Sequence, residues 1–445
     1  MSDLEFAYLV YISPAEVRYG RIKIHAAESG LKRSSALVNF RLIRVLGGVL
    51  AVTMGCAFYG AIRLSYADYL AGGDSSRLIQ SALKIAPDNA AYWLRWTDLV
   101  EAEGRPGDAG IQHAAELDPY DASVWIRAGL KAEIQGRYTE AEQDLLQAAR
   151  RSRQFEPRWA LANFYFRRGD AEHFWDWANS ALPWAYQDRT PLFELCWRMQ
   201  PDAALILRRA IPDDPKVLRN YLEFLLATRR FDAAAAVAER LESRATAEDR
   251  DLLLGYSSLM LEQKRWAEAL AAWNALCLRN LVPYPQLVPG KGPVLTNGAF
   301  SAEPLNRGFD WHIWQLPGVS VVRGSSPGRL EFSFNGQQPE NCLLLDQFIP
   351  VIGGRRYDFR FAYRTDSIAP GSGLHWTLTE AATGAAIPLE QPPLSSDDWT
   401  IADSGFQVPV GAQGARLALV YERQPGTVRL EGAFWLRDLA MELLP

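Results

Sequence analysis

The chain has 445 residues, a formal net charge of −5, 48% hydrophobic residues and 22% charged residues. Those values exclude wholesale disorder. The mild acidity excludes a dedicated nucleic-acid binder, which needs a basic face. Four cysteines, Cys56, Cys196, Cys277 and Cys342, lie far apart without a C-x-x-C pair, so neither a zinc ribbon nor a disulfide framework is indicated. The 15 Trp are roughly two to three times ordinary usage.

Residues 1–44 hold seven basic and four acidic side chains without clear period, with a strand-like start at Phe6–Ile12. They read as a short cytoplasmic tail. Val45–Ile62 is an uncharged run of 18 residues closed by Arg44 and Arg63. As a helix it is about 27 Å long, close to the thickness of a hydrocarbon core. A transmembrane helix is therefore expected over 45–63. Lys32, Arg33, Arg41 and Arg44 precede the run, against Arg63 and Arg77 after it. The positive-inside rule then places the N-terminus in the cytoplasm and the rest outside. The expected location is the inner (plasma) membrane, crossed once.

Residues 74–280 carry an internal period. Trp93 and Trp125, Pro87 and Pro119, Gly104 and Gly136, and Ala109 and Ala141 are all offset by 32. Trp159 follows Trp125 by 34, and RRFDAA from Arg229 recurs as KRWAEA from Lys264, offset by 35. Each unit holds two amphipathic helices. Gly104 and Gly136 suit the left-handed residue that ends a helix, and Asp88 and Asp121 suit N-caps. Ala109 and Ala141 suit close helix approach. Ser75–Ala86 reads as an orphan second helix docking against the membrane helix. The pattern resembles the tetratricopeptide repeat, which implies an α-helical solenoid with a protein-binding surface. Trp93, Trp125, Trp159 and Trp266 then read as helix packing. Trp175, Trp177 and Trp184 fall outside the pattern and are candidates for a protein-binding groove.

At 281–293, LVPYPQLVPGKGP has the texture of a linker. Beyond it, 294–445 holds period-two stretches bounded by turns: Arg329–Phe334, Tyr357–Tyr363, Leu374–Thr379, Ala415–Tyr421 and Val428–Trp435. An antiparallel β-sandwich follows from them. LTNGAF from Leu295, FDWHIW from Phe309, LDQFIPVIGGRRYDFRFAYR from Leu345 and DDWTIADSGFQVPVGAQGARLAL from Asp397 resemble stretches of jelly-roll carbohydrate-binding modules with a galactose-binding-like fold. That resemblance implies sugar stacking on aromatic rings. Trp311, Trp314, Trp376 and Trp399 are the candidate rings, helped by Tyr363 and Arg364. Many such modules hold a structural calcium. Here Ala299 and Ser301 replace the expected acidic positions, leaving only Asp438, so no metal or other cofactor is expected.

The sequence contains no G-x-S-x-G, no phosphate loop, and five His without a supporting context. The whole therefore reads as a multidomain α + β chain that is not an enzyme. It is expected to be a membrane-tethered adaptor with a protein partner on the repeats and a polysaccharide on the sandwich. The combination looks like bacterial envelope proteins associated with exopolysaccharide production. The alternatives are a structural assembly factor whose sandwich makes protein contacts, and a glycan-processing enzyme, which would need a carboxylate pair across a cleft.

Overall fold

A computed structural model describes residues 33–186, 188–324 and 328–445, with side chains from residue 45 onward. Phe6–Ile12 and most of the expected tail lie outside these residues. Fourteen α-helices and ten strands are present among the described residues. They divide into two compact units, residues 1–119 and 120–445.

The first unit holds α1 (Arg33–Ala71), α2 (Ser76–Ile85), α3 (Ala90–Ala102) and α4 (Asp108–Leu117). Helix α1 runs past both ends of the uncharged stretch, because nothing breaks it before Gly72 and Gly73. Val45–Ala71 is long and apolar enough to cross a membrane, and Val45, Leu46, Val49, Leu50, Phe58 and Ile62 are all exposed. The last turns change role. Ala67, Leu70 and Ala71 are buried against Ile79, Ala82, Leu83 and Tyr92. The Arg63 guanidinium donates to the Ile85 carbonyl at 2.6 Å, and the Tyr92 hydroxyl donates to Asp68. Burial and that carboxylate push the Tyr92 phenol up to about 12. The orphan helix α2 thus finds its partner in the end of α1. The N-cap of α3 is Asn89, not Asp88: its side chain accepts from the Ala91 and Tyr92 amides. The close approach in α4 falls on Gly110 instead of Ala109. A Cβ at Gly110 would lie 2.3 Å from the Thr97 hydroxyl.

The second unit opens with α5 (Ala122–Ile134), α6 (Tyr138–Arg151), α7 (Phe155–Arg168) and α8 (Ala171–Ala181). It continues through α9 (Thr190–Met199), α10 (Ala203–Arg209), α11 (Pro215–Ala227), α12 (Phe231–Glu242), α13 (Arg250–Glu262) and α14 (Trp266–Leu278). One core of buried Leu, Ala and aromatic residues runs from Ala132 to Leu287. The same stop recurs after the first helix of successive pairs. Gly136 and Gly169 take φ near +75° after α5 and α7, as Gly104 does after α3. The next amide returns to a carbonyl five residues back, as in Arg137 to Ala132 at 2.8 Å and Asp170 to Tyr165 at 3.0 Å. After α11 and α13 the same bend is made by Arg229 (φ 56°) and Lys264 (φ 61°), with Arg230 bonding Leu225 and Arg265 bonding Met260, both at 2.8 Å. The left-handed conformation costs a residue with a Cβ about 1–2 kcal/mol. Arg229→Gly should therefore stabilise the unit by about 0.5–1 kcal/mol, part of the strain relief being lost to the entropy of glycine. Urea unfolding at unchanged slope is the measurement, and a loss of stability contradicts this account.

The sandwich has one sheet in the order β1 (His312–Ile313), β4 (Asn341–Pro350), β9 (Gly414–Glu422), β6 (Leu374–Glu380), β7 (Ala386–Ile387). The other runs β2 (Val319–Arg323), β3 (Leu330–Asn335), β10 (Glu431–Leu443), β5 (Arg356–Asp366), β8 (Thr400–Gln407). All pairings are antiparallel. Inward residues alternate along β5, β6 and β8, for example Tyr357, Phe359, Phe361 and Tyr363 on β5.

The array is welded to this sandwich. The Trp266 ring packs against Phe348 with centroids 5.6 Å apart, and a Cβ at Gly414 would lie 2.3 Å from that ring. Trp273 is fully buried, stacked on Tyr284 at 5.9 Å and beside Gly308. The first half of the Pro-rich segment expected to be a linker, 281–287, is packed instead. Val282, Tyr284 and Leu287 are buried, and Asn274 bonds both the amide and the carbonyl of Leu287, at 2.8 and 2.9 Å. Its prolines fix a path over α14, and apolar residues between them supply the contact. Cys196, Cys277 and Cys342 are buried free thiols; burial pushes Cys196 and Cys277 up to about 12. Trp273→Ala should cost about 3–5 kcal/mol and open 281–287 to chymotrypsin at the buried Leu287. Wild-type resistance of that variant in limited proteolysis would refute the weld.

Candidate functional site

The proposed sugar-stacking residues separate by strand parity. Trp311 and Trp376 are core residues, 0% and 1% exposed. Their rings meet between the sheets at 6.2 Å, and the Trp376 ring packs on Phe359 at 5.2 Å. Tyr363 is also buried, its hydroxyl donating to the Pro393 carbonyl at 3.3 Å. Burial raises that phenol. None of these three offers a face to a ligand. Each stands at an inward position of its segment, where burying a large aromatic surface outweighs any role outside.

Trp314 does reach the surface, at 39% exposure. Its ring stacks on His312 with centroids 4.6 Å apart. Its Nε1 donates to Asp346 Oδ1 at 2.6 Å, and Asp346 Oδ2 accepts from Arg416 Nε at 2.8 Å. An indole, a carboxylate and a guanidinium are thereby fixed on the outer side of the β1–β4–β9 edge.

Trp399 and Arg364 lie on the outer face of the opposite sheet, where two further residues join them. Trp435 on β10 pairs directly with Arg364 on β5, and the Arg364 guanidinium lies 4.2 Å from the Trp435 ring centroid. Two residues along, Arg437 pairs with Ala362, which pairs in turn with Ile401 of β8. The small Ala362 leaves Arg437 room to cross, and its guanidinium sits 4.0 Å from the Trp399 ring centroid. Each stack contributes about 0.5–1 kcal/mol at an exposed site, which biases the four planar groups toward this arrangement. Ile401 and Val322 are exposed on the same face, at 68% and 53%. Trp435 and Arg437 are not among the candidates drawn from the sequence. Their signal is the alternation in AFWLRD: Phe434 and Leu436 point inward, so Trp435 and Arg437 point out.

Asp438 lies in the register shift of β10 between Arg437 and Ala440 with φ 52°. Its carboxylate is 3.3 Å from Arg437 Nε. Among the described residues no group of three or more His, Cys, Asp or Glu could hold a metal ion.

In the array, Trp175 is buried and Trp184 is 51% exposed, with Arg158 5.4 Å over its ring. Trp177 is half-buried against the core. The three do not share one surface. A cleft of about 300 Å³ lies instead between the start of α9 and α11, lined by Asp188, Arg189, Phe193, Asn220, Glu223 and Phe224. The buried Arg189 guanidinium donates to the Leu182 carbonyl at 3.0 Å and to Asn220 at 2.7 Å.

No family model matches the chain, and no curated protein matches it. Among solved structures it is similar to one described as CBM4 structure and function, at 16% identity over 33% of this chain and 98% of the other, TM-score 0.27. It is also similar to pilF of Pseudomonas aeruginosa, at 17% identity over 51% and 91%, TM-score 0.24. A third is YrrB, a TPR protein with an unusual peptide-binding site, at 14% identity over 47% and 94%, TM-score 0.21.

Trp376→Ala should cost about 3–5 kcal/mol of stability, while Trp399→Ala should stay within about 1 kcal/mol, the worth of its lost stack. Urea midpoints of the two variants check the division; equal losses contradict it. A helical repeat array is thus followed by a two-sheet sandwich whose outer faces carry the accessible rings, Trp314 on one sheet and Trp399 with Trp435 on the other.

Proposed function

We propose that the chain is a non-catalytic, membrane-tethered adaptor that binds a glycan through its sandwich and a protein through its repeats. The carrying observation is the outer face of the β2–β3–β10–β5–β8 sheet, where Trp435, Arg364 and Arg437 stand on strands held in register and Trp399, just before β8, lies under Arg437. Sugar rings present apolar C–H faces and hydroxyl edges. Fixed indoles suit the first, and fixed guanidinium groups donate to the second. The apolar Val45–Ala71 stretch of α1 supports the tether. The flanking charges support a cytoplasmic N-terminus, with the array and sandwich on the extracytoplasmic side of the plasma membrane. A role in exopolysaccharide production or export at a bacterial envelope fits this layout. The cleft beside Arg189 is where the array would take a protein segment.

A second reading is an assembly factor whose sandwich makes protein contacts only. It draws support from Trp266 and Phe348, since one outer sheet face already serves a protein contact within this chain.

Detergent-solubilised full-length protein should retard in gels containing a soluble polysaccharide from a panel of neutral and acidic polymers. Trp399→Ala with Trp435→Ala should weaken that binding at least tenfold, about 1.4 kcal/mol, with the unfolding midpoint little changed. No binding to any polymer removes the glycan role and leaves the assembly factor, and full-strength binding in the double variant removes the outer face as its site.

A further inference from the structure

The weld between array and sandwich leaves a half-open cavity of about 350 Å³, lined on one side by Gly255, Ser258, Leu261 and Glu262 and on the other by the 306–312 loop and Asp346–Phe348. We propose that this cavity is a sugar-binding pocket for one or two neutral rings, completed only when the last repeat docks. It lies against the β1–β4–β9 sheet, opposite the Trp399–Trp435 face, and does not depend on that face.

The sandwich wall is built before any ligand arrives. Asp310, 2% exposed, accepts from the Leu305 amide at 2.7 Å, the Trp311 amide at 2.8 Å and the Tyr284 hydroxyl at 2.8 Å. Asn306 accepts from the Ile313 amide at 2.8 Å. The Gly308 amide donates across the junction to the Ser258 hydroxyl at 2.8 Å. These bonds fix the loop carrying Arg307 and His312. The array wall is one helix face, because Gly255, Ser258 and Glu262 fall at i, i+3 and i+7 on α13.

The lining matches a sugar in three respects. Phe348 and Leu261 give apolar surface for C–H groups. Glu262 brings an acceptor and Arg307 a donor fork, and neither makes an ion pair among the described residues. His312 is braced on Trp314, and Asp346 on both Trp314 and Arg416. With Glu262, Asp310 and Asp346 against the single guanidinium of Arg307, the lining has no positive charge to offer a phosphate, whereas neighbouring donors and acceptors suit hydroxyls. The volume is within the range of small-molecule sites, which favour domain junctions.

Gly255 permits a clean test. A Cβ there would meet nothing within 4 Å, so a side chain can enter the cavity without moving the fold, and replacing a mid-helix glycine favours the helix. Isothermal titration of cellobiose, maltose, lactose and mannobiose into full-length protein in detergent should show binding by at least one. Gly255→Leu should abolish it, and Glu262→Gln should weaken it about tenfold. Thermal unfolding of Gly255→Leu at or above the wild-type temperature establishes that the cavity, not the fold, was lost. Trp399→Ala with Trp435→Ala should leave disaccharide binding unchanged, which separates this pocket from the outer face. No heat with any of the four sugars, or full affinity in Gly255→Leu, overturns the proposal.

Discussion

Two indoles from one helix hold the second unit together. Trp266 and Trp273, seven residues apart on α14, project onto the sandwich, and both meet backbone that has no side chain of its own, at Gly414 and Gly308. Burying an aromatic ring of 150–250 Å² is worth roughly 4–6 kcal/mol at 25 cal/mol per Å². Both indole nitrogens are buried without a partner, so the contact relies on shape and apolar area. That makes it intolerant of a Cβ at either glycine. It also ends the solenoid: α14, which would otherwise expose an apolar face to the next repeat, is capped by a sheet.

The docking divides labour between the two sheets. The β1–β4–β9–β6–β7 sheet gives part of its outer side to α14, and the groups at its margin become one wall of a cavity. The β2–β3–β10–β5–β8 sheet keeps its outer side in solvent, with alternating indoles and guanidinium groups. A ligand on the first side touches both array and sandwich. A ligand on the second touches the sandwich alone. Because the intervening segment is packed, the two sides keep a fixed relation to each other within this unit.

Much of the fold was legible in the sequence because it rests on local rules. The 32-to-35 spacing, the glycine stops and the alternating strands each reflect a backbone period. Legibility failed where a residue's role depended on distant chain. Arg229 and Lys264 hide a stop that Gly104 and Gly136 announce, since the bend is identical and only its strain differs. The 281–293 segment has a linker's composition, yet Tyr284 and Leu287 turn its first half into core. Trp266 sits at a repeat position and reads as helix packing, but its ring faces Phe348, some 80 residues away by sequence. The site was half legible. Trp399, Arg364 and Trp314 reach the surface, while Trp311, Trp376 and Tyr363 satisfy the sandwich's need for bulk. Trp435 and Arg437 became visible only through the register of β10 on β5.

The thiols give the fold a freedom that its other features do not. A disulfide forms through a thiolate, and burial keeps Cys196 and Cys277 protonated at neutral pH, out of reach of oxidants. No crosslink contributes to the core, so none has to be made during folding and none can be lost to a reductant. The stability of the repeat array is therefore insensitive to redox potential. Once folded, the unit shields these two thiols equally in a reducing and in an oxidising compartment.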